Sequence, residues 1–272
     1  MSKMIIKIKK TLYYLLYYFP SILCFYLSGT NRRNKKKLQE LNNKFAGKRC
    51  FIICNGPSLR AEDLTMIYNS GDISIGMNMI GRIFDKTPWR PTILSARDDC
   101  VFHPLNRELV ENTECGFKIY DRKRFLRTLS SKGNIVYMKF NCSRKLLDNP
   151  AFDINATKAL PSIGTSAYSM IEVAGFLGCR DIYILGCDMS YAINLNRDGS
   201  ITFDNSGKNH FYGKEKDHMT SIVNPNPTWE LQIAFEEAER LSKEYGIKIY
   251  NATRGGKLEA FERVDFDSLF NI

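Results

Sequence analysis

Residues 165–186 read TSAYSMIEVAGFLGCRDIYILG, and this stretch decides the fold. In its first part apolar residues recur every three or four positions, as they do in a helix with one buried face. Its second part, DIYILG at 181–186, is a short apolar run that predicts a buried strand. A helix that leads into such a strand is typical of a parallel sheet covered on both faces. The apolar helix positions are Ala167, Met170, Ile171, Ala174 and Leu177.

The same alternation of short β-rich runs and helical patterns continues through the chain from Lys48 onward. A second amphipathic helix is predicted over 228–245, where Leu231, Phe235 and Ala238 share one stripe. We therefore expect an α/β domain built on a mostly parallel sheet with helices on both faces. The other candidate strands are 49–54, 72–77, 91–95, 116–120, 134–140 and 247–251.

The positive charge of the chain is concentrated at its N terminus. The formal net charge is +10, and nine basic residues precede the first acidic residue, Glu40. The remainder is close to neutral, whereas a face that binds DNA or RNA must offset many backbone phosphates at once. Nucleic acid is therefore not expected as a partner.

Residues 11–28, TLYYLLYYFPSILCFYLS, form an apolar and aromatic run between basic clusters. The run is near the lower length limit of a spanning helix, Pro20 interrupts it, and its five tyrosines favour the headgroup region. Basic flanks on both sides favour an anionic cytoplasmic leaflet. We expect residues 1–37 to carry a membrane-associated helix that lies in the interface or is re-entrant, in front of a folded domain over 38–272. A core helix packed on the domain and a single spanning helix are the alternatives.

From this segment we expect the protein to lie on the cytoplasmic face of a membrane, such as a bacterial inner membrane, as a peripheral or monotopic protein. The eight cysteines agree with a cytoplasmic location, because several lie inside apolar runs, as reduced buried thiols do. Cys50 and Cys54 are four residues apart, but no further Cys or His cluster completes a metal site, so none is expected.

Polar residues follow the first predicted strand, at the end of a parallel sheet where ligands bind. In Asn55-Gly56-Pro57-Ser58, Gly56 permits a tight turn, Pro57 suits a first helical position, and Ser58 is expected to cap a short helix. The free N–H groups of such a helix start attract phosphate. A purely structural turn is the alternative.

The other strands also end in polar residues. Asn78 follows the second strand, Arg97-Asp98-Asp99 the third, Asp188 the sixth, and the segment 251–256 the last. Residues 251–256 either contribute Asn251 and Arg254 to the pocket or only finish the sheet with a turn.

A second phosphate candidate and a long loop complete the site prediction. Ser162-Ile163-Gly164-Thr165-Ser166 offers a glycine and two hydroxyls at a helix start, and simple N-capping is the competing explanation. The stretch 192–227 is rich in Asn, Asp, Gly, Ser and Pro and holds two of the three histidines. Long loops of this kind are lids or disordered, and we expect a lid or acceptor loop.

Four segments together resemble a known family. They are FIICNGPSL (51–59), GTSAYSMIEVAGFLGCRDIYILGCDMSY (164–191), NHFYG (209–213) and IKIYNATRGGKLEAFERVD (247–265). The combination resembles the 6-hydroxymethylpterin diphosphokinase MptE-like family of Rossmann-type proteins. The first three segments are also similar to the bacterial sialyltransferases of glycosyltransferase family 42, which use CMP-activated sugars. The resemblance implies a Rossmann-like (GT-A-like) catalytic domain that binds a nucleotide.

The resemblance to the sialyltransferases implies roles for particular residues. Asn55, Asn78 and Thr165-Ser166 match nucleotide-binding positions. The general base of those enzymes is a histidine in the loop after the strand that ends at Gly186, and here that loop holds His210 and His218. The NHFYG match places His210 on the first histidine of the family motif, whereas the base is the second, where this chain has Lys214. The chain also carries no arginine shortly before Thr165 and has Arg97-Asp98 where the family has an asparagine.

The sequence thus predicts an inverting glycosyltransferase with a histidine base, and the candidate catalytic residues are His210, His218 and Asp188. Asn55, Gly56, Pro57, Ser58, Asn78, Arg97, Asp98, Gly164, Thr165 and Ser166 are the predicted nucleotide-binding residues. No metal is expected to be obligatory, and the partners are a nucleotide-sugar, with a CMP-sugar favoured, and a glycan or lipid-linked acceptor. Two alternatives stay open: a diphosphokinase that passes pyrophosphate from ATP with Mg²⁺ held at Asp98-Asp99, and a non-catalytic membrane-bound scaffold.

Overall fold

A computed structural model describes residues 8, 11–12, 14–98, 101, 104–123, 134–142, 146, 151–203, 208–213 and 227–270. Its strands in chain order are β1 (Cys50–Ile53), β2 (Ile73–Met77), β3 (Ile93–Ala96), β4 (Phe117–Asp121), β5 (Ile135–Asn141), β6 (Ala159–Pro161), β7 (Asp181–Leu185), β8 (Ile193–Leu195), β9 (Ile201–Phe203), β10 (Lys248–Asn251) and β11 (Glu262–Arg263). The α-helices are α1 (Phe19–Leu27), α2 (Thr30–Leu41), α3 (Ala61–Ser70), α4 (Pro104–Asn112), α5 (Ser166–Phe176) and α6 (Thr228–Ser242). Short 3₁₀ turns cover Ile80–Ile83, Lys243–Tyr245 and Asp267–Leu269, and Tyr14–Tyr18 forms a π-helical turn.

Nine strands form one parallel sheet in the order β11-β10-β7-β1-β2-β3-β4-β5-β6. The chain runs outward from β1 to β6 on one side and then returns, through α5, to β7 on the other side of β1. The strand order therefore reverses between β1 and β7, and an open α/β sheet has its ligand crevice at such a reversal. The prediction of a mostly parallel α/β sheet is confirmed, and all seven predicted strands are present.

The core lies in two layers, one on each face of the sheet. Along β1, Cys50 and Ile52 face one layer and Phe51 and Ile53 face the other, because successive side chains of a strand point to opposite faces. Helix α5 is the most buried of the described helices, with every residue from Ala167 to Phe176 enclosed. A helix buried on all sides fixes its own position, so the N terminus of α5 has a firm place relative to the sheet.

Helix α2 packs against the open edge of β5. The Asn34 carboxamide donates to the Tyr137 carbonyl at 2.7 Å and accepts from the Tyr137 N–H at 2.7 Å. Lys37 donates to the carbonyl of Ile135 at 3.0 Å. Strand β6 pairs only with the far end of β5, from Lys139 onward, so these side chains occupy the part of the edge that β6 leaves uncovered.

Helix α1 lies directly before α2. Pro20, which the sequence suggested as an interruption, occupies the first turn of α1, where a proline is well tolerated. Ser21 and Phe25 are buried, and the Phe25 ring packs edge-on against Tyr137 at 5.6 Å between centroids. The predicted division after residue 37 falls inside α2, and it stays a prediction. None of the helices in the part of the chain that the structure describes combines the length and the hydrophobicity that crossing a membrane requires.

Some elements differ from the sequence-based expectation. Strands β6 and β11 and the β8–β9 hairpin were not predicted, and the hairpin lies inside 192–227, which we expected to be a loop. The first helix after β1 begins at Ala61 and has Arg60 at its N-cap, so the expectation that Ser58 caps it is wrong. The hydroxyl of Ser58 is instead engaged by a buried carboxylate in the crevice.

Candidate active site

A cavity of about 380 Å³ lies at the carboxyl ends of β1 and β7, where the strand order reverses. Nine of the residues that the sequence singled out line it, and they come from six separate segments of the chain. These residues are Asn55, Gly56, Asn78, Asp98, Gly164, Thr165, Ser166, Asp188 and His210.

The turn after β1 is held against the turn after β7. The Gly56 N–H donates to the Gly186 carbonyl at 2.9 Å, and the Ser58 hydroxyl donates to Asp188 Oδ2 at 2.9 Å. A Cβ atom on Gly56 would lie 1.9 Å from that carboxylate oxygen and 2.4 Å from the Gly186 carbonyl oxygen. Only glycine therefore fits at this position.

Asp188 is a buried carboxyl that connects three loops. Its side chain accepts from Ser58, its carbonyl accepts from the Lys257 N–H at 2.8 Å, and a Cβ on Gly256 would lie 2.9 Å from its Cα. Burial raises the pKa of the Asp188 carboxyl, while the bonds from Ser58 act in the opposite direction. These contacts make Asp188 a residue that positions the floor of the crevice.

Two asparagines form the wall beside β2. Asn55 donates through Nδ2 to the Met77 carbonyl at 2.9 Å, and its buried Oδ1 has no hydrogen-bond partner among the described residues. Asn78 has a left-handed backbone with φ of 52°, and its side chain donates to Asp98 and accepts from the Arg97 N–H at 3.2 Å. Asn78 thus joins the ends of β2 and β3, and Asn55 carries the acceptor that is still unused.

The N terminus of α5 opens into the same cavity. Thr165 is its N-cap, with Oγ1 accepting from the Ala167 N–H at 3.3 Å, so the competing explanation of simple capping holds for this residue. Gly164 has a φ of +64°, which places Thr165 and Ser166 at the cavity wall. Capping uses one hydroxyl, and Ser166 lines the cavity as well, at the positive end of the helix dipole.

His210 reaches the crevice through a backbone contact. The Phe211 N–H donates to the Asn55 carbonyl at 2.9 Å, which ties residues 208–213 to the turn after β1. The His210 ring stacks on Tyr212 at 4.9 Å between centroids, and the Arg82 guanidinium lies 4.9 Å from the Tyr212 ring centre. The loop thus presents an imidazole on the wall of the crevice.

Three predicted nucleotide-binding residues lie beside the cavity, not on its surface. Pro57 and Ser58 belong to the turn but do not line the cavity, and Ser58 Oγ bonds Asp188. Arg97 is buried behind the wall, where it donates to Ser162 Oγ at 3.0 Å and lies 3.7 Å from the Phe140 ring centre. Arg97 thus supports the end of β3. The remaining candidates His218, Lys214 and Asp99 fall outside the described residues.

Residues 251–256 were expected either to contribute to the pocket or only to finish the sheet, and the structure supports the second interpretation. Asn251 is fully buried, donates to the Leu258 carbonyl at 2.7 Å and accepts from the Thr253 N–H at 3.0 Å. Arg254 forms ion pairs with Asp63 and Asp267. Neither Asn251 nor Arg254 lines the cavity.

Several residues besides these nine also line the cavity. Cys54 and Cys187 follow β1 and β7, and hydrogen bonding between the two thiols, together with burial, raises the pKa of Cys54. Burial also raises the pKa of the Tyr191 hydroxyl, which stays protonated as a donor. Asn209, next to His210, accepts from the Ala192 N–H at 2.9 Å. Among the described residues, no group of three or more His, Cys, Asp or Glu is arranged to hold a metal ion.

Comparisons with known proteins bear on the fold. No family model matches the chain, and its sequence matches no curated protein. Among solved structures it is similar to the MAf glycosyltransferase from Magnetospirillum magneticum AMB-1, with a TM-score of 0.52 and 14% identity. That match covers 84% of this chain but 35% of the other, so the chain spans about a third of that protein's length. The sialyltransferase CstII from Campylobacter jejuni, in complex with the substrate analogue cytidine-5'-monophosphate, has a TM-score of 0.48 and 18% identity over 80% of this chain and 85% of that one.

Proposed function

We propose that the chain is a glycosyltransferase that moves a sugar from a nucleotide-activated donor to a glycan acceptor. One observation carries the proposal: a single cavity joins the Gly56 turn, the N terminus of α5 and the His210 imidazole. Its volume of about 380 Å³ is within the range of small-molecule sites, about 300–1,000 Å³. Phosphate donors on one wall and a base on another are what this transfer needs.

The donor phosphate binds at the N terminus of α5 in this proposal. The first-turn N–H groups, the Ser166 hydroxyl and the helix dipole stabilise the negative charge that develops on the leaving phosphate. The unused Oδ1 of Asn55 is an acceptor for a donor group of the nucleoside. We favour a CMP-sugar because the NGPSL and GTSAYS segments resemble the family 42 sialyltransferases.

The chemistry is a direct displacement. The oxygen of the acceptor hydroxyl attacks the anomeric carbon, and its proton passes to the His210 imidazole. The bond from the anomeric carbon to the phosphate oxygen breaks, and its electron pair leaves with the nucleotide. Attack from the face opposite the leaving group inverts the configuration. In this proposal the protein supplies the proton acceptor and the groups that donate to the leaving phosphate.

The nucleotide is identified by thermal shift with CMP, CMP-sugars, UDP-sugars, and ATP with Mg²⁺. We expect stabilisation by CMP and CMP-sugars. Selective stabilisation by ATP with Mg²⁺ would favour the diphosphokinase alternative, and no response to any nucleotide would favour a non-catalytic scaffold.

The base is tested with His210→Ala, for which we expect kcat to fall about 10²- to 10⁴-fold while donor affinity changes little. Lys208→Gln is the matched control, because Lys208 is exposed in the same segment and does not line the cavity. Unchanged turnover in His210→Ala would remove His210 from the mechanism.

The location on the cytoplasmic face of a membrane, through residues 1–37, is part of the same proposal. The described part of this segment supports it, because Arg32, Arg33, Lys35 and Lys36 lie on the surface next to exposed apolar side chains. An acceptor at the membrane surface agrees with such a location.

A further inference from the structure

The N-terminal helices carry an unusual concentration of exposed apolar surface. Of the twelve large apolar side chains that are exposed among the described residues, nine lie between Ile8 and Leu27. Leu27 is 76% exposed, and Leu15, Leu16 and Leu23 are about half exposed. Soluble proteins rarely leave a contiguous apolar surface of this kind uncovered, so the surface calls for a partner.

Helix α1 has two different sides. Ser21 and Phe25 face the domain and are buried, whereas Leu23, Tyr26 and Leu27 face outward. A helix with one side packed on protein exposes only its other side to a partner, as a helix that lies in the plane of a membrane interface does. Tyr14 and Tyr26 are exposed as well, and tyrosine favours the headgroup level of a bilayer.

The charge next to this surface identifies the partner. Arg32, Arg33, Lys35 and Lys36 lie on the surface at the start of α2, which follows α1 directly. The α2 stretch from Thr30 to Leu41 contains a single acidic residue, Glu40. Apolar side chains beside a basic cluster fit an anionic lipid surface, with the apolar groups among the acyl chains and the cations at the headgroups.

The helices also have a fixed position relative to the crevice. Asn34 bonds Tyr137 while Lys37, one turn later, bonds Ile135, so α2 runs antiparallel to β5 and its start lies toward the carboxyl ends of the strands. Phe25 lies 5.7 Å from the guanidinium of Arg122, the residue after β4. The crevice also opens at the carboxyl ends of the strands, next to β1. Strand β1 is three strands from β4 and four from β5, which is about 15–20 Å.

We propose that the apolar side chains between Ile8 and Leu27 bind an anionic lipid bilayer in the plane of its interface, and that the attachment of α2 to β5 turns the crevice edge of the sheet toward that bilayer. The docking itself is independent of the reaction. Its consequence, that the crevice works on substrates presented at the membrane surface, rests on the proposed function.

Vesicle flotation of the full chain tests the docking. We expect binding to phosphatidylcholine vesicles that contain about one third phosphatidylserine and much weaker binding to pure phosphatidylcholine. Leu23→Gln/Leu27→Gln and Lys35→Gln/Lys36→Gln should each lower partitioning about tenfold or more. Ile201→Gln/Phe203→Gln is the matched control, because these side chains are also exposed and apolar but lie on the β8–β9 hairpin. An equal loss of vesicle binding in the control variant would overturn the proposal. So would a chain that forms dimers through this surface and does not bind vesicles.

The orientation is tested with a fluorescent residue placed at Asn141 or at Asn134. Both are exposed and lie at the carboxyl and amino ends of β5, about 23 Å apart. Quenching by spin-labelled lipids should be stronger at 141, and equal or reversed quenching would contradict the orientation. Each variant must keep the unfolding midpoint of the unmodified chain. Vesicle binding without any nucleotide response would support the docking and contradict the proposed function. A nucleotide response without vesicle binding would contradict the docking and leave the proposed function standing.

Discussion

Replacing Gly56 with alanine tests whether the floor of the crevice is as tightly built as the structure indicates. The added methyl group would meet the Asp188 carboxylate at 1.9 Å and the Gly186 carbonyl at 2.4 Å. Cβ atoms essentially never approach other heavy atoms within 3.0 Å, so both groups must move. The Gly186 carbonyl belongs to the backbone and accepts a hydrogen bond from the Gly56 N–H. Moving this carbonyl therefore breaks that bond and separates the turns after β1 and β7.

The size of the effect follows from these distances. Overpacking of this kind costs about 1–3 kcal/mol of unfolding free energy, or roughly 2–10 °C in Tm for a domain of this size. The turn that carries Asn55, the proposed acceptor for the nucleoside, moves with Gly56, and a misplacement of about 1 Å lowers turnover by about a hundredfold. Nucleotide affinity, measured by calorimetry, and kcat should therefore both fall. Gly56→Ala/Asp188→Ala should stay impaired, because the Gly186 carbonyl still blocks the methyl group.

Gly71→Ala is the control for this experiment. Gly71 ends α3 at the opposite edge of the sheet with a φ of +69°, and no heavy atom lies within 4 Å of the position that its added methyl group would occupy. This variant should lose about 1–2 kcal/mol from backbone strain and keep its nucleotide affinity. If Gly56→Ala bound nucleotide as the parent chain does, the turn after β1 would not be part of the nucleotide site.

Two further predictions concern stability. Glu172 is fully buried, accepts from the Asp153 N–H at 3.0 Å, and has a pKa raised well above its ordinary 4.5 by burial. Because the pKa of this carboxyl is higher in the folded than in the unfolded chain, its protonated form stabilises the fold. The free energy of unfolding should therefore fall as the pH rises above about 4.5, by up to about 1.4 kcal/mol per pH unit. Urea unfolding of Glu172→Gln should not show this dependence, and parallel pH curves for the two proteins would contradict the reasoning. Asn34→Ala removes both hydrogen bonds to Tyr137 and should lower the free energy of unfolding, measured with urea, by about 1–3 kcal/mol. Lys35→Ala, on the exposed side of α2, is the control and should lower it little. Equal losses in the two variants would argue against the role of Asn34 on β5.

The main strands and helices were predictable because their signals are local. The run DIYILG and the apolar stripe from Ala167 to Leu177 each fit one element, and the structure places β7 and α5 there. Because ligands bind at the carboxyl ends of parallel strands, the strand predictions alone brought Asn55, Asn78 and Asp188 to one edge of the sheet. Thr165 was predicted separately, as the start of a helix. Five of the nine predicted residues that line the cavity, Asn55, Gly56, Asn78, Asp98 and Asp188, follow predicted strands in this way.

Long-range pairing explains what the sequence did not predict. Ser58 has the residue type and position of an N-cap, but its hydroxyl bonds Asp188, a residue 130 positions later, which no local pattern reveals. The carboxamide of Asn34 pairs with Tyr137 across 103 positions, so the docking of α2 on β5 was equally hidden. Strand β6 has only three residues, too few for a period to be recognised.

The most direct test of the central claim is a crystal structure of the chain with a bound CMP-sugar or CMP. The phosphate should lie between the Gly56 turn and the first turn of α5, within hydrogen-bond distance of Ser166, with His210 on the facing wall. A nucleotide that binds elsewhere, or a crevice that stays empty at saturating CMP, would contradict the claim that these two turns together hold an activated nucleotide.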